Sequence, residues 1–89
     1  MKAVVTIIGK DNIGIIAKLS TALAEEKVNI LDINQTVMRE YFTMIMLVDL
    51  DKMEIEFTDL QEKLAETGKQ IDMTVRIQHE DIFDTMYEV

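Results

Sequence analysis

The stretch Gly9-Lys10-Asp11-Asn12-Ile13-Gly14-Ile15-Ile16 holds the residues best suited to chemistry in this 89-residue chain. It joins an apolar run to the start of a helical pattern. Free backbone N–H groups point out of a helix N-terminus, and the helix dipole favours an anionic group there. A carboxylate ligand can be held by those amides. Gly14 has no Cβ, so a ligand or another backbone can approach it closely. Asp11 or Asn12 suits an ammonium group. Together these features would recognise the two charges of an amino acid. The plainer reading of the same residues is that Asp11 or Asn12 caps the helix and Gly14 lets it pack tightly. From the loop chemistry alone, the plainer reading carries the greater weight.

The remaining candidates lead away from catalysis. The chain has no Cys and one His, so thiolate nucleophiles and thiol metal carriers are excluded. His79 has Asp81 and Asp84 nearby, a grouping better read as a helix start with solvated charges than as a metal site. The acidic set Asp49, Asp51, Glu54, Glu56 and Asp59 lacks the glycine and the ligand spacing of a calcium loop. Ser20 falls mid-helix, away from any nucleophile elbow. Arg39-Glu40-Tyr41-Phe42 lacks the glycine and the second stacking aromatic of an RNA-recognition strand. Arg39 and Arg76 are the only arginines, and neither lies in the first loop, where a ferredoxin-like acyl-phosphate hydrolase would hold phosphate. Met38, Met44, Met46 and Met73 read as core or interface filler. The expectation is a non-enzyme without metal or cofactor.

Charge and composition narrow the partners. The net charge is −8. Residues 1–45 carry five basic and five acidic side chains, and residues 46–89 carry four and twelve. A surface of that sign repels phosphate backbones and anionic membranes, so neither nucleic acid nor membrane is expected as a partner. The longest unbroken apolar run, Met44 to Val48, is far short of a membrane span. No secretory signal is visible at the N-terminus, so a cytoplasmic location is expected. Apolar residues make up 48% and charged residues 29%, which suits one globular domain over residues 1–89. A core of that size is marginal alone, which favours pairing.

The elements that must position the loop follow from periodicity. Ala3 to Ile8 is β-branched and apolar on both faces, the pattern of a central strand. From Ile13 or Gly14 to about Lys27, the residues Ile15, Ile16, Leu19, Ala22 and Leu23 have helical spacing. In Asn29–Arg39, Leu31, Ile33, Gln35 and Val37 alternate with Asp32, Asn34 and Thr36. Phe42 to Leu50 is again apolar on nearly both faces. The short connection between these two runs makes a hairpin, although its turn lacks Gly or Asn. Thr58-Asp59-Leu60-Gln61 fits a capping box, followed by Leu60, Leu64 and Ala65 as an apolar stripe and Gly68 as a helix stop. Ile71, Met73, Val75 and Ile77 alternate with polar residues as an edge strand. Ile82, Phe83, Met86 and Tyr87 suggest a short C-terminal helix.

The order βαββαβ with right-handed crossovers predicts an α+β, ferredoxin-like sandwich. Its four-stranded antiparallel sheet has order 4-1-3-2, with both helices on one face. That order makes the first and third strands central, matching their doubly apolar patterns. It also leaves Val4 and Ile8 facing away from the helices, for the C-terminal segment or a second subunit to cover.

Gly9-Lys10-Asp11-Asn12-Ile13-Gly14-Ile15, then Leu19 and Leu23, then Val28-Asn29-Ile30, resemble the ACT domain. Phe42-Thr43-Met44 suits a small stand-alone branch of that family, similar to the glycine-cleavage regulator type. The resemblance covers nearly the whole chain. It implies a regulatory module that binds an amino acid or similar metabolite at a side-by-side homodimer interface. Carried over by position, Asp11, Asn12, Ile13, Gly14 and Ile15 form the ligand loop. Asn29 matches a polar residue reached from the neighbouring subunit's strand, and by itself it reads as the turn after the first helix. Ile13 stands where the family often has Pro, and Lys27 where it often has Gly. Lys27 would then carry a modest left-handed strain. The alternative is a protein-interaction module without a metabolite. Its protein partner would meet the open sheet face, the Phe83/Tyr87 tail and the acidic second half.

Overall fold

A computed structural model describes residues 1–10 and 14–81. The apolar run near the N-terminus forms β1 (Lys2–Lys10), with Ala3, Val5 and Ile7 turned into the core. The helix α1 (Ile15–Glu25) follows, then the hairpin of β2 (Asn29–Met38) and β3 (Tyr41–Asp49). The second helix α2 (Phe57–Gln70) leads into β4 (Met73–His79). The sheet order is β2-β3-β1-β4, and every pairing is antiparallel. This is the expected 4-1-3-2 order read from the other edge. The two strands with apolar patterns on both faces are the two central ones, because only they have neighbours on both sides.

A single core forms between sheet and helices. Met44, Met46 and Val48 of β3 meet Leu19 and Leu23 of α1 and Leu60 and Leu64 of α2, all of them essentially inaccessible. On the helix-free face, Ile8 and Ile45 stand exposed while Val4 is buried. The expected C-terminal helix, with Ile82, Phe83, Met86 and Tyr87, lies outside the described residues.

The helix ends depart from the sequence reading in instructive ways. Gly14, rather than Asp11 or Asn12, takes the N-cap position of α1, and among the described residues no side chain caps this end. At the other end, Lys27 adopts φ 59°. Its N–H bonds to the Ala24 carbonyl at 3.0 Å, and the Val28 N–H bonds to Leu23 at 3.0 Å. These two bonds make the Schellman closure, which accepts the left-handed strain expected of Lys27. The capping box at Thr58 is not formed. The helix α2 starts one residue earlier, at Phe57, with Glu56 at the N-cap position and no side-chain cap. Ala65 is exposed, and Gly68 does not stop the helix. Instead Gly68 is buried where α2 crosses β4. A Cβ there would lie 2.6 Å from the Met73 carbonyl oxygen and 2.8 Å from Val75 Cγ2. The left-handed residue that closes α2 is Asp72, at φ 57°.

Candidate functional site

The described chain resumes after β1 at Gly14, the N-cap residue of α1, and no described side chain caps this helix start. Gly14 sits at φ 85° and ψ 7°, a left-handed conformation that glycine adopts without strain. The first intrahelical bond runs from the Lys18 N–H to the Gly14 carbonyl at 3.0 Å. The N–H groups of Ile15, Ile16 and Ala17 therefore have no acceptor within the helix. No acidic side chain stands in the first turn of α1, whereas α2 has Asp59 in that place. Among the described residues, no side chain neutralises the positive end of the α1 dipole. A Cβ added to Gly14 would meet nothing within 4 Å. Here the glycine serves the backbone angle rather than packing.

A cleft of about 310 Å³ opens beside this helix start. Gly14, Ile15, Ile16 and Ala17 form one wall, and Gln35, Val37 and Phe42 form the other. Strand register explains the second wall. Gln35 pairs with Met44 and Val37 with Phe42, so both stand on the helix-bearing side of the sheet. Yet β2 runs beyond the helices' cover, and nine of its ten residues are exposed. Ile16 was expected to belong to the helix's core stripe. It is 45% exposed, and Val37 is 54% exposed, so both remain open to the cleft. The described lining carries no titratable group. What it offers is backbone N–H groups, one carboxamide and apolar surface.

The structure brings Gly14 and Ile15 into this cleft. Asp11, Asn12 and Ile13 lie outside the described residues. Asn29 stands elsewhere. It pairs with Asp49, seven residues along β3 from Phe42, or roughly 24 Å at about 3.4 Å per residue. Its surroundings are Lys27, Asp49, Asp51 and Lys52, at the opposite end of the sheet. Within one chain, Asn29 and the first loop do not share a site. Ile16, Gln35, Val37 and Phe42 are the cleft residues that sequence reasoning missed. The available signal was Gln35, a carboxamide in the otherwise apolar row Leu31, Ile33, Val37.

The shifted charges lie away from this cleft. Between α1 and α2, Lys63 bonds Glu26 at 2.9 Å and Glu25 at 3.3 Å. The hydrogen bond to Glu26 holds its ammonium proton more tightly than in an ordinary lysine. The groove around it is larger, about 520 Å³. Its charged lining is Lys18, Glu25, Lys63 and Glu66, and Glu25 there already partners Lys63. At the sheet's other end, the Met1 ammonium bonds Asp51, which lowers the Asp51 pKa. His79 stacks on Phe57 with ring centres 4.1 Å apart. Among the described residues, no group of three or more His, Asp or Glu side chains is arranged to hold a metal. No described helix is long and apolar enough to cross a membrane.

A model of the ACT-domain family matches residues 2–78. The chain belongs to the ACT-domain family. A UPF0237 protein of Clostridium acetobutylicum is 53% identical to this ACT chain over 89 residues, the full length of both. Among solved structures, an ACT domain protein from Streptococcus pneumoniae is similar, with a TM-score of 0.83 and 42% identity over 98% of each chain. The regulatory subunit of aspartate kinase from Thermus thermophilus is more distant, with a TM-score of 0.67 and 26% identity. That match covers 86% of this ACT chain and 50% of the other.

Proposed function

We propose that this ACT chain is a stand-alone regulatory module that binds an amino acid or similar small metabolite at a homodimer interface. The observation that carries this reading is the cleft between the start of α1, which no described side chain caps, and the exposed face of β2. Its free amides suit a carboxylate, and its volume is at the small-metabolite end of the usual range of about 300–1,000 Å³. Asp11 and Asn12 flank it in sequence and supply partners for an ammonium group. The regulatory role of the aspartate kinase subunit supports the same direction.

The dimer enters through β2. A ten-residue edge strand with Leu31, Ile33 and Val37 exposed is an unfinished surface. A second copy against this edge would cover it, and in that assembly Asn29 of the partner subunit reaches the ligand. A ligand that binds the paired form better than the alternative stabilises it by the difference in affinity. That difference is the signal passed to a protein partner.

Thermal melting with each of the twenty amino acids tests the reading. Ligand at 100 times its Kd adds about 2.7 kcal/mol, a shift of several degrees in a domain this size. The shift should be lost in Asp11→Ala and weakened in Asn29→Ala. Unchanged melting with all twenty would overturn the metabolite reading and leave the protein-interaction module.

A further inference from the structure

The sheet face that carries no helix combines apolar surface with positive charge. On β1 and β4, alternation away from the buried Ala3, Val5 and Val75 puts Lys2, Lys10 and Arg76 on this face, with no acidic residue of those strands beside them. In a chain of net charge −8, that is a local excess of positive charge. Arg76 is exposed and makes no ion pair among the described residues. Register places Thr6 between Arg76 of β4 and Ile45 of β3, with Ile8 two residues further along β1. Ile8 is 50% exposed and Ile45 44%. The occupant that fits this surface is amphipathic, apolar on one side and acidic on the other.

We propose that residues 82–89 of the same chain are that occupant, laid along β1 over Ile8 and Ile45 with their acidic side toward Arg76. The last described residues lie at the right place. In the pairing of β4 with β1, His79 stands opposite Ala3, and the backbone turns helical at Glu80 and Asp81. These two residues share a pocket with Met1 and Lys2, at the Val4 end of the face. A helix continued from Asp81 would set Ile82, Phe83, Met86 and Tyr87 on one side and Asp84 and Glu88 on the other. The length matches as well. Eight helical residues span about 12 Å. The four-residue step from Val4 to Ile8 is roughly 14 Å of strand. One or two turns of helix do not hold themselves in water, so the segment needs such a surface. Tethering favours it over a second copy, because a segment that starts at the patch meets it at high effective concentration. Docked there, it closes the helix-free face and leaves β2 as the edge open to a second copy.

Spin labelling of the full chain tests this. The chain has no cysteine, so a Thr85→Cys variant carries one nitroxide label on the polar side of that helix. The amides of Thr6, Ile8, Thr74 and Arg76 should broaden more than those of α1 and α2. Arg76→Glu should weaken docking by up to about fivefold, the scale of an exposed ion pair, and reduce the broadening accordingly. Adding Asp84→Lys and Glu88→Lys should restore it, which loss of fold would not allow. Broadening that is strongest on α1 or α2, or equal across the chain, would overturn the proposal. Arg76→Glu without effect would overturn the charge pairing. Spin-labelled chains mixed with isotope-enriched, unlabelled ones identify the source of the segment. The enriched chains should stay sharp. Broadening of their Thr6, Ile8, Thr74 and Arg76 amides would give the face to a second copy's segment and overturn the intramolecular seat.

Discussion

The two edges of this sheet are built to opposite standards. At the β4 edge, α2 lies directly on the strand, close enough that Gly68 leaves no room for a methyl group. Met73, Val75 and Ile77 alternate cleanly inward, and Leu60 and Leu64 close over them with no exposed surface. At the β2 edge, α1 makes no comparable contact with the strand, a bulge interrupts the register at Leu31, and Ile33 and Val37 remain open. Both edges have apolar residues on the helix side. The difference is whether this chain supplies the cover. One edge is closed by this chain's own helix, and the other is left uncovered.

Substitutions should separate the two roles. Leu64→Ala, at the closed edge, should have the largest effect, a loss of about 2–5 kcal/mol in urea unfolding. Against a total of about 5–15 kcal/mol for a native protein, that endangers the fold. Gly68→Ala sharpens the contrast. Alanine in a helix interior normally adds roughly 0.5–1 kcal/mol over glycine. Here the new methyl group would press on Met73 and Val75, and a net loss of about 1–3 kcal/mol is expected. Gly14→Ala, at the open edge, should cost about 1 kcal/mol through its positive φ alone, since a Cβ meets nothing there. A stabilising Gly68→Ala, or a Gly14→Ala that costs more than it, would break the comparison.

Smaller effects are expected at the helix–helix contact and on β2. Lys63→Met should lose ~0.5 kcal/mol, because Glu25 and Glu26 are partly solvated partners. The Lys63 pKa is raised in the folded chain. Its contribution is therefore complete below the ordinary lysine value of 10.5 and is lost only as pH rises above it. Melting at neutral pH in low and high salt should show the difference shrinking with salt. Ile33→Thr should change monomer stability by less than about 0.5 kcal/mol. Sedimentation should nevertheless show weaker self-association, because the lost surface belongs to the open edge.

The fold was largely legible because its signals are redundant. The doubly apolar runs around Val5 and Met46 fixed which strands are central, and element order then fixed the sheet. Lys27 was legible too, since the turn after α1 demands a left-handed residue whatever side chain occupies it. The helix starts were less so. A capping box at Thr58 is a local pattern, and burial of Phe57 against the core and His79 moved the start of α2 by one residue. Gly68 fits a helix stop equally well in sequence, and only the crossing with β4 reveals that it makes space. The candidate cleft was half legible. Gly14 and Ile15 announce themselves through the loop. Ile16, Gln35 and Val37 do not, because their exposure depends on how far β2 extends past α1, a tertiary fact with no local pattern.

An amide NMR titration of the chain with whichever amino acid raises its melting temperature most tests the division between the edges most directly. Binding at the open edge should move the amides of Gly14, Ile15, Ile16 and Ala17 together with Gln35 and Val37, and leave α2 and β4 still. Shifts concentrated around Lys63 and Thr67 between the helices, with Gly14, Ile16, Gln35 and Val37 still, would contradict it.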